Sequence, residues 1–568
     1  MRGLRHSSRF AGILLAENTR HIGFKYFKGL DVFMQDKKEL ISNETGRRKT
    51  FAIISHPDAG KTTLTEKLLL YGGAIRLAGT VKARKAGNYA VSDWMEIEKQ
   101  RGISVTSSVM QFEYGDHFIN ILDTPGHQDF SEDTYRTLIA ADSAVMLIDG
   151  AKGVEAQTIK LFHVCKMRGI PIFTFVNKMD RASKDPFELM EEIERVLGIR
   201  SYPMNWPIGT DGDFKGVYNR EHGQIELFEG GRHGQTTVNS IKGSVNDGIF
   251  TDLLGSHYHD KLRADIELLE IAGDEFSKEK VATGELTPMF FGSAMTNFGV
   301  QPFLEEFLRL APAPGIRNST TGEVDPESEN FSGFVFKIQA NMNPTHRDRI
   351  AFIRICSGQF LRGMSVFHVQ AGKEIRLAQP QQFMAQERAI VEEAYPGDII
   401  GVFDPGIFKI GDTLCESSAR FKFEGIPIFP AEHFARILPA DSMKRKQFVK
   451  GINQLSEEGA IQVFKQPDSG MEAVIIGAVG ALQFEVLEHR LKHEYGVDLR
   501  IQHLSYKFAR WPASEVVDPR KLNLTSTTMI AEDNEGRLVL LFENDWSIRW
   551  AEERNKGLSL ADIATVEG

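Results

Sequence analysis

Thr50-Phe51-Ala52-Ile53-Ile54-Ser55-His56-Pro57-Asp58-Ala59-Gly60-Lys61-Thr62-Thr63-Leu64 decides how this chain is read. The apolar run at 50–54 has the length of a buried strand, and residues 63–70 place apolar side chains at helical spacing. Between them, Ser55 to Thr62 has the lysine and hydroxyl spacing of a phosphate loop. Such a loop aims backbone N–H groups and a helix N-terminus at phosphates, while Lys61 adds positive charge and the Thr62 hydroxyl can ligate magnesium. Ser55 stands where the common form begins with glycine. A plain strand-to-helix turn bearing a surface lysine would leave a similar trace, so other segments have to discriminate.

Three do. Asn120-Ile121-Leu122-Asp123-Thr124-Pro125-Gly126-His127 reads as a strand ending in a carboxylate and a glycine turn. Asp123 would hold magnesium through water, and Gly126, with no side chain, would bring its N–H close to a terminal phosphate. Thr174-Phe175-Val176-Asn177-Lys178-Met179-Asp180 is again strand-like and polar at its end. Asp180 can accept from guanine N1–H and the exocyclic amine, whereas adenine presents an acceptor there, a mismatch costing several kcal/mol. Lys178 would lay its stem along the base and Asn177 would tie the base loop to the phosphate loop. Phe290-Phe291-Gly292-Ser293-Ala294 could present a backbone N–H to guanine O6. Each alone has a bland reading as a turn or a charged surface. Their order matches a doubly wound sheet that binds ligands at the C-terminal ends of parallel strands, which points to GTP or GDP with magnesium.

Between Lys61 and Asp123 lies Ser92-Asp93-Trp94-Met95-Glu96-Ile97-Glu98-Lys99-Gln100-Arg101-Gly102-Ile103-Ser104-Val105-Thr106. Arg101-Gly102-Ile103-Ser104 resembles the first switch of the translational GTPases, and residues 123–127 resemble their second switch. The resemblance implies that Ser104 ligates magnesium and that His127 orients the attacking water, with Pro57 and Ile103 as apolar flanks. Without the surrounding motifs His127 would be a solvated turn histidine. Long blocks outside the site narrow the resemblance to bacterial peptide chain release factor 3, among them 128–137, 333–342 and 454–460. It is expected to run from about Arg47 to about Leu504, with no functional residue carried over beyond either end.

The implied architecture is an α/β P-loop GTPase domain with an insertion, then a β-barrel domain, then an α+β ferredoxin-like domain. Boundaries expected from punctuation are an unstructured extension at 1–46, a GTP-binding domain at 47–316 with an insertion at about 205–285, the barrel at 330–427 and the last domain at 428–568. Leu310-Ala311-Pro312-Ala313-Pro314-Gly315 and the polar 318–330 read as a linker, the glycine-rich 229–234 as a flexible loop, and Phe403-Asp404-Pro405-Gly406 as a hairpin turn. The basic N-terminus could be a transit peptide, but its apolar patch ends at Glu17, and an extension upstream of a start at Met34 is the preferred reading.

Composition agrees. The chain has 568 residues, too many for one core, with 42% hydrophobic and 25% charged residues. Its three cysteines form no pairing motif, and no run of eighteen apolar residues exists. A cytoplasmic monomer without membrane contact is expected. A net charge of −10 argues against a surface that coats nucleic acid, leaving local basic spots at 82–85, 346–349 and 444–446. The resemblance implies a ribosome-stimulated GTPase acting with the sarcin-ricin loop and ribosomal proteins to release class I release factors. The alternatives are an elongation factor G-like translocase, for which the stretch after Pro430 is short, and a scaffold that holds GDP only for folding.

Overall fold

The structure, a computed structural model, describes residues 37–74, 98, 104–209, 214–227, 240–340, 349–377, 380–384, 387–426, 430–466, 474–513 and 518–561. The first-switch residues 92–97 and 99–103, the glycine-rich loop 229–234, the basic spots 82–85 and 346–348, and residues 1–36 lie outside them.

The first domain is built on β1 (Arg48–Ser55), β2 (Ser108–Tyr114), β3 (His117–Asp123), β4 (Ser143–Asp149), β5 (Ile172–Asn177) and β6 (Arg200–Pro203). An excursion follows, with β7 (Asn205–Ile208), β8 (Gly216–Asn219), β9 (Gln224–Leu227), β10 (Ser240–Lys242) and helices to Ala282. The chain then returns as β11 (Leu286–Phe291). Seven strands form one sheet in the order β2-β3-β1-β4-β5-β11-β6, parallel except where β2 meets β3, and β7–β10 form a separate antiparallel sheet. Strands β1, β4, β5 and β11 are buried along their whole length, as parallel strands covered on both faces must be. Alternation assigns the faces: Ala52, Ile54, Met146 and Ile148 enter one core, and Phe51, Ile53, Val145 and Leu147 the other. Local signals stop the helices where they should. Pro186–Leu197 begins with Asp185 accepting the Phe187 N–H at 2.9 Å and Pro186 in the first turn, and it ends on Gly198 at φ 66°.

The second domain is a curled antiparallel sheet of eight strands centred on Ser332–Ala340 and Arg349–Ser357. A one-residue register shift between Val335 and Lys337 bends the first of these. Val335 and Ile338 therefore fill the barrel core, while Phe334 and Phe336 join the core of the first domain.

The chain after Pro430 forms His433–Pro439, helix Arg445–Glu457, Gln462–Phe464, Val474–Ala478, helix Leu482–Tyr495 and Leu499–Leu504. Its strands lie antiparallel in the order second, third, first, fourth, a ferredoxin-like arrangement. Ala435 and Ile437 face its helices. Phe434, Phe464 and Ile475 face the other way, into a core shared with Ala509, Trp511, Val539 and Leu541.

Four expectations need correcting. The last stretch is not one sandwich: Phe508–Pro512, Met529–Glu532, Leu538–Phe542 and Leu560–Ala561 make a second sheet with helix Asp545–Arg554. Residues 37–46, placed in the extension, are helical and bury Ile41 completely. The polar stretch at 318–330 folds in part into the hairpin Arg317–Ser319 with Gly322–Val324, and Arg317 donates to the Ile139 carbonyl at 2.6 Å. Residues 403–406 are no hairpin. Asp404 Oδ1 accepts from the N–H groups of Gly406 and Ile407 at 2.8 Å each, and the chain leaves to pair Thr413–Cys415 with Ser332–Ala340 instead.

A polar belt joins the first two domains. The Gly397 carbonyl accepts from Thr50 Oγ1 at 2.7 Å and Arg354 Nη1 at 2.6 Å, and Arg354 Nη2 donates to Asp142 Oδ2. Arg48 Nε donates to Asp398 Oδ2 at 2.8 Å, and Gln111 Nε2 to the Ile399 carbonyl at 2.8 Å.

Candidate functional site

Because β1, β3, β5 and β11 run parallel, the segments that follow them leave the sheet on the same edge. After Ser55 the backbone turns through Asp58 at φ 67° and Gly60 at φ 101°, then enters helix Lys61–Tyr71 with no side chain capping its first turn. Thr62 and Thr63 occupy that turn, half-buried. A Cβ on Gly126 would stand 3.4 Å from the backbone of Pro57, so the turn after β3 lies against the loop after β1. Thr124 Oγ1 holds that turn by donating to the Ile53 carbonyl at 2.7 Å.

Lys61 Nζ donates to Asp123 Oδ1, and both side chains are buried. Ser55 Oγ and Asp123 Oδ2 are buried beside them and find no partner among the described residues. Burial without a partner is costly for such atoms, which suits them to a ligand's cation or donors. His56 Nε2 sits 3.2 Å from Glu155 Oε1. His127 is one-third exposed and accepts the Asp129 N–H on Nδ1 at 3.2 Å. Ser104 is described and half-buried, but Ile103 lies outside the described residues.

Asn177 ties three segments together. Its Nδ2 donates to the Ala59 carbonyl at 2.8 Å and its Oδ1 accepts the Ala294 N–H at 2.8 Å. Met179 N–H donates to the Gly292 carbonyl at 3.1 Å, bringing the loops after β5 and β11 into contact, and Ser293 and Ala294 are fully buried. Asp180 keeps Oδ1 buried without a partner among the described residues, while its Oδ2 lies 3.9 Å from Arg181.

Lys178 adopts φ 69° and reaches the Asp58 carbonyl and, at 2.7 Å, Asp149 Oδ2. Asp149 was not anticipated. It ends β4, between β1 and β5, two of the strands whose loops carry the site, and the Asp-Gly after a strand was the available signal. Burial pushes its carboxyl up, but hydrogen bonds from Lys178 and the Ala151 N–H outweigh this and hold it below the usual range. Asp129, which contacts His127, was also missed.

The elongation factor Tu GTP binding domain family matches residues 46–313, elongation factor G domain 2 matches 330–417, and the class II release factor RF3 C-terminal domain matches 423–552. The last match extends well past Leu504, where the resemblance was expected to fade. Peptide chain release factor 3 of Symbiobacterium thermophilum is 63% identical over 91% of this chain and 98% of its own. Those of Gloeobacter violaceus, 53% identical over 93% and 99%, and Listeria monocytogenes, 54% identical over 92% and 99%, are also similar. A crystal structure of a Thermus thermophilus protein shares the fold at a TM-score of 0.64 and 22% identity, covering 86% of this chain and 72% of that one. No helix among the described residues is long and apolar enough to cross a membrane. With a guanine-nucleotide domain, a barrel and a release-factor C-terminal domain in succession, the chain belongs to the peptide chain release factor 3 family of translational GTPases.

Proposed function

We propose that this protein binds GTP with magnesium and hydrolyses it on the ribosome, and that its GTP form promotes departure of class I release factors after peptide release. The observation that carries the reading is the Asn177 bridge, which holds the phosphate loop and both base-side segments in one cradle.

In this reading residues 55–63, except Pro57, which has no N–H, wrap the phosphates together with Gly126 through backbone N–H groups, and Lys61 stabilises charge that develops on the γ-phosphate. Thr62, Ser104 and Asp123 hold the metal, which when bound neutralises phosphate charge. Asp180 accepts from guanine, Lys178 lies along the base, and the backbone at 292–294 meets guanine O6. His127 orients the attacking water, brought into place by the sarcin-ricin loop. The protein acts as a cytoplasmic monomer. The match of the C-terminal domain to a release-factor model favours termination over translocation.

A ribosome-dependent assay of release factor recycling, with GTP, GDP and ATP compared, tests this. Recycling with GTP alone is expected. No recycling with GTP would sink the termination role, equal activity with ATP would sink the assignment of Asp180, and undiminished hydrolysis in His127→Ala would sink that of His127.

A further inference from the structure

We propose that Asp129 is a positioning residue through which the C-terminal domain sets the orientation of His127, an inference that rests on the reading of His127 given above. The geometry is a two-sided carboxylate. Oδ1 stands 3.3 Å from His127 Nδ1, and the Asp129 N–H donates to the same nitrogen at 3.2 Å. Oδ2 accepts the Leu482 N–H at 2.7 Å, at the first residue of helix Leu482–Tyr495 in the C-terminal domain.

That helix starts after Ala481, which offers no side-chain cap, so Asp129 supplies from another domain the acceptor and negative charge that a helix start favours. The fit is close. A Cβ on Gly480 would fall 2.1 Å from Asp129 Cγ, so only glycine lets the segment before the helix lie against the carboxylate. Phe130, Val105 and Val486 pack together beside this contact, with Leu482 at their edge.

One rigid carboxylate thus serves both partners. A neutral His127 ring accepts the Asp129 N–H on Nδ1 and keeps its proton on Nε2, while a protonated ring donates from Nδ1 to Oδ1. In either state Asp129 fixes the ring. Displacing the helix start would draw Oδ2 with it and swing Oδ1 and the 127–129 backbone away from that arrangement. The domain that distinguishes this family by sequence is thereby tied to the residue next to the chemistry.

The test uses the full chain with its histidines labelled with nitrogen-15, comparing Asp129→Ala, Asp129→Asn, Gly480→Ala and the Asp129→Ala/Gly480→Ala double variant. Ring-nitrogen signals of His127, assigned with His127→Ala, are read alongside ribosome-stimulated GTP hydrolysis and GDP affinity. Gly480→Ala, made in another domain, should shift the His127 signals and lower the maximal hydrolysis rate on the order of tenfold, with GDP affinity unchanged. Asp129→Ala should do the same, Asp129→Asn should recover part of the rate by keeping an acceptor for Leu482, and the double variant should be no worse than either single one. Multiplying losses in the double variant, or wild-type signals and rate in Gly480→Ala, would overturn the proposal. If Gly480→Ala does not fold, equal losses in Asp129→Ala and Asp129→Asn would overturn it. If Gly480→Ala moves the signals while His127→Ala hydrolyses at full rate, the coupling stands and the role of His127 as water-orienting residue fails.

Discussion

A methyl group on Gly60 would stand 2.3 Å from the side-chain nitrogen of Asn177. Gly60 also adopts φ 101°, which L side chains rarely tolerate. The same Asn177 nitrogen donates to the carbonyl of Ala59, so the loop and its tether are fitted to one another. Gly60→Ala should therefore displace Asn177 and loosen both of its hydrogen bonds. Affinity for GTP and GDP should fall at least tenfold, measured by displacement of a fluorescent guanine nucleotide; affinity equal to wild type would mean that the tether does not shape the site.

Asp180 offers a buried carboxylate oxygen with no partner among the described residues. Asp180→Asn turns an acceptor pair into one acceptor and one donor, matching xanthine better than guanine. Competition binding should show GTP weakened by roughly two orders of magnitude and xanthosine triphosphate strengthened, from a buried mismatch of about 3 kcal/mol. An unaltered preference would show that base selection lies elsewhere.

Arg354 is fully buried; it meets Asp142 across the boundary of the first two domains and, within its own domain, the Gly397 carbonyl. Arg354→Met should destabilise by about 3 kcal/mol, because it strips a buried carboxylate of one cation and a carbonyl of one donor. Urea denaturation should show the first unfolding step moving to lower concentration. A midpoint equal to wild type would mean that Arg317, 3.3 Å from Asp142, suffices alone.

Glu226 in β9 is buried, and that burial, aided by the charge of Glu305, raises its carboxyl to about 7. The folded state holds this proton more tightly than the unfolded one. Its contribution is therefore full below the ordinary carboxyl range and is lost as pH rises toward 7 and above, by on the order of 3 kcal/mol. Glu226→Gln should remove this loss, so that thermal unfolding of the variant is higher than wild type at pH 8 and similar at pH 5. A variant with the wild-type pH profile would place the proton elsewhere.

What could be read from sequence was what is local. Apolar runs, glycine turns and helix caps carry short-range signals, which is why the segments around Lys61, Asp123, Asn177 and Gly292 were found and even the tie made by Asn177 was expected. Residues that matter through distant partners left no such mark. Asp129 looks like one more polar residue before a helix until Leu482 meets it, and Asp149 is marked only by an Asp-Gly after a strand, a pair that any turn can carry. The turn at 403–406 misled because Pro-Gly after a strand fixes a bend, not the strand that follows it, and Thr413–Cys415 pairs with Ser332–Ala340, a partner far away in sequence. The second C-terminal sheet was invisible because strands as short as Leu560–Ala561 gain their identity only from the surface they cover.

That surface has a consequence for the integrity of the protein in the cell. Phe434, Phe464 and Ile475 project from the ferredoxin-like sheet on the side without helices, and Trp511, Val539 and Leu541 are what keep them from water. A premature stop shortly after Leu504 would not yield a smaller working protein. It would leave an adhesive aromatic face on a folded domain, a product for degradation or aggregation.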